Sequence, residues 1–321
     1  MEKGCSVRFS KYKEDKCALL IGQAGTGMAF GTFGELLQGR LSEEQGDFLV
    51  TLPISRYSYA IFVADPTCQD VTVFPPEKQK SKALASLILE HSNLPHGGRL
   101  ILQSELPVGK GLASSSADLV ATARAISSCF HMPIASSLLA MLMCRIEPSD
   151  GVMYPGVVAF HHRQGRLHES LGMLPALTIV GIDEGGELDT VQFNNIPKEF
   201  TRTEEVEYHR LLEVLSGAVS HQDVHLIGQV ATRSAVLNQK HNPKQTLDEV
   251  MAICQNSGGL GVVAAHSGTC LGILLSPDEP NYYYQIQAVQ NSLARITKAV
   301  SLYHSFQVAQ EEEEYAAKKC S

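Results

Sequence analysis

The chain has 321 residues, with 26 Lys and Arg against 34 Asp and Glu, a net charge of −8, 44% apolar and 19% charged residues. That length suits two domains or one large one, and the composition is too apolar for a disordered chain. The acidic balance argues against nucleic acid as a partner, no apolar run reaches the ~20 residues that span a bilayer, and the polar N-terminus is not a secretory signal.

Cysteines 5, 17, 68, 129, 144, 254, 270 and 320 are scattered and include no C-x-x-C, which reads as reduced, cytoplasmic usage. Residues 1–20 read as a flexible leader. Glycines at 22, 25, 27, 31, 34 and 39 follow, then Phe48–Leu52 and Tyr57–Val63, whose alternating β-branched and aromatic residues predict two strands. Val71–Phe74 is a further strand, stopped by Pro75 and Pro76, and Lys80–His91 has helical spacing. Arg99–Ser104 predicts a strand leading into Pro107–Gly111. Ser114–Phe130 and Ser136–Ile146 then predict helices, closed by a Pro-Ser-Asp-Gly turn at 148–151. A hairpin is expected around 163–165, between Val157–Phe160 and Arg166-Leu167, and Thr178–Asp183 reads as a strand. The pattern lapses between Thr190 and Phe200, and the boundary is placed between 195 and 196. Helices are expected at Glu204–Ser216, His221–Leu237 and Thr246–Gln255. Strands at 261–265 and 271–275 flank His266–Thr269, and a last helix is expected over Asn281–Leu302, before an acidic tail at 309–321. Runs of strands and runs of helices without regular alternation favour an α+β fold.

The most informative segment is Pro107-Val108-Gly109-Lys110-Gly111-Leu112-Ala113-Ser114-Ser115-Ser116-Ala117. A Gly-rich turn ahead of a helix start lets backbone N–H groups approach a phosphate closely. The plain alternative is a turn followed by a Ser N-cap. It is not a Walker loop, since residue 104 is Ser and Lys110 is followed by Gly111. Lys110 is placed either to pair with phosphate or to point to solvent. Gly259–Ala264 approximates a dinucleotide fingerprint but sits between a helix and a strand, which is the wrong context.

This segment resembles the central ATP-binding motif of the GHMP small-molecule kinases, with Ala113 and Ser116 where the usual form has Gly and Ala. Gly31-Thr32-Phe33-Gly34-Glu35-Leu36-Leu37-Gln38-Gly39 resembles the family's N-terminal motif. Val263-Ala264-Ala265-His266-Ser267-Gly268-Thr269 takes the place of its C-terminal Gly-rich loop. The first and last blocks, with Ser234–Gln239 and Asn242-Pro243-Lys244, are most similar to the L-threonine kinase branch associated with cobalamin synthesis and propanediol use. Phe33 stands where that branch carries Cys.

The resemblance implies a two-domain α+β kinase: an ATP-binding domain at 21–195 like ribosomal protein S5 domain 2, and a ferredoxin-like domain at 196–308. It implies ATP and Mg2+ as cofactors and a small hydroxylated amino acid as substrate, L-threonine going to O-phospho-L-threonine. ATP would lie on Pro107, Gly109, Lys110, Gly111, Leu112, Ala113, Ser114, Ser115 and Ser116. Asp150 would be the base, and Glu147 and Ser115 would hold Mg2+. Substrate would meet Gly31, Thr32, Glu35, Gln38, Asn238, His266, Ser267, Gly268 and Thr269.

Each assignment has a plain structural counterpart. Asp150 would shape its turn, Glu35 would cap a local helix starting after Thr32, and Asn238 with Gln239 would cap the end of a helix. Gly268 alone would explain a tight turn at 266–269. His161, His162 and His168 flank a turn without a fourth ligand at a recognisable spacing, so a zinc site is not expected. The rival functions are a kinase for homoserine or serine, a non-catalytic ligand-binding relative, and an RNA-binding module. Joint retention of Ser115, Glu147 and Asp150 counts against the non-catalytic relative; the charge balance counts against RNA. No pattern in the sequence sets an oligomeric state.

Overall fold

Ala24–Arg40 forms a single 17-residue strand, β1, antiparallel to the 18-residue β2, Asp47–Ala64, in a computed structural model that describes residues 22–186, 196 and 198–306. The leader at 1–20, the tail at 309–321 and residue 195 at the expected boundary lie outside the described residues. The glycines of β1 have a packing reason. Helix α2, Ser114–Phe130, lies directly on the strand, so a Cβ at Gly25 would sit 2.1 Å from Cys129 N and one at Gly27 2.1 Å from Ala121 O. The helix capped after Thr32, offered above as an alternative for Glu35, does not form, because 32–35 continue β1 through register breaks. Such bulges bend a strand. They also let β2 run through as one element where the sequence suggested two.

The remaining strands are β3 (Val71–Phe74), β4 (Gly98–Ser104), β5 (Val157–His161), β6 (Arg166–Gly172), β7 (Thr178–Asp183), β8 (Gly261–Ala264), β9 (Cys270–Leu275) and β10 (Val300–His304). They build one sheet in the order β10-β7-β9-β8-β1-β2-β4-β3, with β5 pairing both β2 and β6. The join between β1 and β8 is a narrow one, Glu35 opposite Ala264.

The helices are α1 (Gln79–His91), α2, α3 (Ser136–Cys144), α4 (Arg202–Ser220), α5 (Val224–Asn238), α6 (Leu247–Ser257) and α7 (Tyr282–Leu293). Helix α4 begins where Thr201 and Glu204 form a reciprocal capping box. The long last helix expected over Asn281–Leu302 is corrected: α7 stops at Leu293, and Val300–His304 pairs antiparallel with β7 along its whole length. Its Val, Leu and Tyr suit an edge strand, and the ladder on β7 supplies hydrogen bonds that a continued helix would forgo.

A large core joins β1, β2, α2 and α3 with Tyr208, Leu211 and Leu215 of α4, and a second core joins β7, β8 and β9 with α6 and α7. Phe33, the departure within the first motif, is fully buried and packs over Gly181 and Gly272, with Tyr303 5.0 Å away. No helix among the described residues is long and apolar enough to cross a membrane.

Candidate active site

The phosphate-loop candidate is shaped by its backbone. Gly109, Gly111 and Ala113 all take left-handed conformations, at φ 74°, 82° and 55°, immediately ahead of α2. Ala113 is the N-cap, and no side chain caps the helix. The Ser N-cap alternative is therefore corrected, and the first turn opens onto a cavity of about 740 Å³ lined by Ala113, Ser114, Ser115 and Ser116. A helix start of this kind, preceded by left-handed turns, is an anion-binding concavity.

The loop is held by its neighbours. Thr32 N donates to Leu112 O at 3.2 Å and Gly34 N to Gly111 O at 3.1 Å. From the other side, a Cβ on Gly268 would fall 2.3 Å from Gly111 N, so the two loops are in direct backbone contact. The 265–268 segment is itself fixed by Asn242 Nδ2, which donates to the carbonyls of Ala265, His266 and Gly268, and by Lys244 Nζ, 2.6 Å from Gly268 O.

Two serines of the first turn each engage a different carboxylate. Ser115 Oγ donates to Glu147 Oε1, and Lys80 Nζ lies 2.5 Å from Glu147 Oε2. Ser116 Oγ is 3.2 Å from Asp150 Oδ2 and accepts the Asp150 N–H at 3.0 Å. Burial pushes Asp150 up to about 6, with a further rise from Glu147. One helical turn along, Asp118 is buried, accepts from Ser58 Oγ and pairs with Lys78 Nζ at 2.6 Å.

Glu35, Asp150, His162, His266 and Ser267 share the cavity wall. Glu35 accepts the His266 N–H on Oε2 at 2.6 Å. Burial first, and then the nearby Asp150 charge, hold the Glu35 carboxyl well above the usual range. His266 is committed on both ring nitrogens, Nδ1 to Gln38 Oε1 at 2.9 Å and Nε2 to Lys198 Nζ at 3.2 Å. With Lys198 donating to Nε2, the Nδ1–H donates to Gln38, whose amide donates in turn to Ala264 O at 3.3 Å.

The cavity wall thus includes Gly109, Gly111, Leu112, Ala113, Ser114, Ser115, Ser116, Glu147, Asp150, Glu35, His266 and Ser267 from the sequence-derived set. Pro107, Gly31, Thr32, Gln38, Asn238, Gly268 and Thr269 do not line it. Gly31, Thr32 and Gly268 support the loop from behind, while Gln38 and Asn238 border a much smaller void of about 10 Å³ on the far side of His266. Thr269 Oγ1 donates to Asp183 at 2.5 Å. The Lys110 ammonium pairs with Asp183 at 2.7 Å, and Lys110 does not line the cavity.

Sequence reading missed Lys78, Lys80 and Asp118, and weighed His162 only as a zinc ligand. An acid within the Ala-rich Ser114–Phe130 helix was the available signal for Asp118, since a carboxylate in a buried helix face demands a partner. The lysines look like an ordinary charged surface in sequence, and only the fold sets them on the cavity wall. His161 Nε2 and His168 Nδ1 are 3.2 Å apart, and no group of three or more His, Cys, Asp or Glu among the described residues could hold a metal. Glu147 with Ser115 nevertheless offers hard oxygen donors that fit Mg2+, which normally takes one or two carboxylates and completes its shell with water and substrate phosphates.

Comparison with known proteins agrees with this geometry. Residues 80–156 match the family described as GHMP kinases N terminal domain. The chain is 27% identical over 256 residues to the L-threonine kinase of Citrobacter freundii, covering 78% of this chain and 86% of the relative. It is 26% identical over 247 residues to that of Salmonella typhimurium, covering 75% and 80%. A homoserine kinase structure from Cytophaga hutchinsonii superimposes with a TM-score of 0.68 over 88% of this chain and 95% of its own, at 16% identity, which shows a shared fold. These likenesses support a small-molecule kinase, similar in sequence to the GHMP kinases and to L-threonine kinases among them.

Proposed function

We propose that the protein transfers the γ-phosphoryl group of Mg·ATP to the side-chain hydroxyl of a small amino acid, L-threonine above homoserine or serine. One observation carries the reading. Consecutive serines at an uncapped helix start hold two carboxylates, Glu147 and Asp150, at the edge of one cavity. Binding alone requires no such pairing of an anion site with two acids, whereas phosphoryl transfer calls for a phosphate cradle and a metal ligand and gains from a proton acceptor.

The ATP phosphates lie on the backbone of 109–116, where the helix start and left-handed turns favour negative charge. Glu147 and Ser115 would hold Mg2+, which neutralises charge on the phosphates. Asp150 takes the proton of the acceptor hydroxyl as its oxygen bonds to the γ-phosphorus and the bond from that phosphorus to ADP breaks. A base held at about 6 is well matched to neutral pH, where it is largely ionised yet still proton-seeking. Glu35, buried beside it, pairs with the substrate ammonium, which lowers the cost of ionising both acids.

Threonine is preferred because the relatives matched over three quarters of this chain are L-threonine kinases, whereas the homoserine kinase likeness is one of fold. The test is ADP release with Mg·ATP against L-threonine, L-serine, L-homoserine and no acceptor. Threonine-dependent turnover well above the others is expected. A preference for another acceptor overturns the substrate, and absence of ATP binding overturns the reading altogether.

A further inference from the structure

Two lysines stand on the cavity wall beside the serine turn of α2, and they are held differently. The Lys78 side chain is 18% exposed and pairs at 2.6 Å with Asp118, whose other oxygen accepts from Ser58 Oγ. Asp118 is buried on α2, so that pair is fixed from both sides. The Lys80 side chain, in the first turn of α1, is 45% exposed, and its ammonium lies 2.5 Å from Glu147 Oε2. Glu147 is buried and lines the same cavity, and its second oxygen, Oε1, accepts from Ser115 Oγ.

A buried carboxylate needs a counter-charge, and here the chain supplies one itself. In the function proposed above, on which this inference rests, Glu147 and Ser115 hold Mg2+. Lys80 and a divalent ion therefore call on the same carboxylate. With the ammonium in place the carboxylate charge is already matched, and two cations a few ångströms apart repel each other. A free ion thus meets a neutralised ligand. Magnesium that arrives on a triphosphate brings an excess of negative charge with it, and the phosphates give the ammonium another anion to pair with. Lys80 suits such an exchange, because its head is a point charge on a flexible stem and nearly half of the side chain is exposed. Lys78, fixed on Asp118, does not.

We propose that Lys80 is a positioning residue that holds Glu147 as a built-in cation and yields it to a divalent ion only when that ion comes with the nucleotide phosphates. Lys80 thereby closes Glu147 to the free ion and sets the order in which metal and nucleotide enter.

The experiment titrates Mn2+, a paramagnetic substitute for Mg2+, into the protein without nucleotide and follows the free ion by electron paramagnetic resonance. Wild type is compared with Lys80→Met, Lys80→Arg, and Lys80→Met combined with Glu147→Gln. Lys80→Met should bind Mn2+ at least ~10-fold more tightly, because a nearby positive charge is gone. Lys80→Arg keeps the charge and should stay within about threefold of wild type. The gain should vanish in the double variant. A merely structural contact, once lost, would loosen the site and weaken metal binding, which is the opposite sign. Calorimetry with Mg·ATP reads the second half of the exchange: its Kd should rise roughly 3- to 10-fold in Lys80→Met, since the phosphates lose the ammonium. Thermal melting reports folding, and Lys80→Gln repeats the neutralisation if the Met variant melts early. The inference is wrong if neither neutral variant gains affinity for Mn2+, if the gain survives Glu147→Gln, or if the Kd for Mg·ATP does not rise. A wild-type chain that binds no Mg·ATP overturns the proposed function and this inference with it, whereas one that binds it without the Mn2+ gain in the variants overturns this inference alone.

Discussion

Gly268 lies on the backbone of Gly111: a Cβ at 268 would sit 2.3 Å from Gly111 N and equally close to Lys110 C. The loop after β8 is therefore a backing for the proposed phosphate loop, and its glycine is fixed by contact. Gly268→Ala must move backbone against backbone, since no flexible side chain can yield. We expect KM for ATP to rise at least ~10-fold and the melting temperature to fall. An Ala variant with wild-type ATP affinity would show that the loop position does not matter for the nucleotide.

Asp150 is partly open to the cavity, yet its carboxyl is raised to about 6 from 3.8. A folded value above the unfolded one gives stability that is fully present below about 3.8 and lost as pH rises through about 6. Asp150→Asn removes that loss. At pH 7 the variant should be more stable by about 1–3 kcal/mol, a range reduced for the open side of the group. Its turnover should fall ~10²- to 10⁴-fold. Chemical denaturation and steady-state kinetics on the same preparation check both signs.

The same shift sets the pH profile. As the proposed base, Asp150 must be ionised, so kcat/KM should climb with pH through about 6 and then level. Glu35 is raised by burial and by Asp150, so a bound ammonium that favours both ionised forms should expel protons. Calorimetry of amino-acid binding in buffers of different ionisation enthalpy should show net proton release near pH 6. Proton uptake would contradict the ammonium role of Glu35.

Ala113 holds φ 55° at the start of α2, a conformation that costs an L-residue roughly 1–2 kcal/mol. Glycine removes that strain but adds about 0.4–1 kcal/mol of unfolded-chain entropy. Ala113→Gly should therefore leave stability unchanged or raise it by up to about 1.6 kcal/mol. Ala113→Val should destabilise, because a β-branched residue tolerates this region worse. Equilibrium unfolding of the pair gives the test.

Lys110 and Asp183 join the phosphate loop to β7 through an ion pair that is a fifth to a quarter exposed. Such pairs contribute little net stability. Lys110→Met and Asp183→Asn should have equal, modest effects on KM for ATP, below about fivefold. A large effect confined to Lys110→Met would show that this lysine swings onto phosphate during turnover.

The sequence alone determined the local elements and the Gly-rich loop ahead of α2. Ser114–Phe130 matches α2 from end to end, and the hairpin at 163–165 and the strands flanking 266–269 form where expected. Their signals are short-range: periodicity, turn residues and a Gly-rich approach to a helix start. Tertiary structure decided whatever depends on contacts between distant segments. Val300–His304 became a strand because β7 offers a ladder. Gly25 and Gly27 of β1 lie where α2 leaves no room for a side chain, and Phe33 is buried because its ring packs on Gly181 of β7 and Gly272 of β9. Lys110 was drawn to Asp183, Lys80 to Glu147 and His266 to Gln38 and Lys198, while the His162 ring nitrogens have no hydrogen-bond partner among the described residues. A residue's type fixes which hydrogen bonds it can make. Its surroundings, brought together across as many as 231 positions in the case of Glu35 and His266, fix which of them it makes and which are left for a ligand.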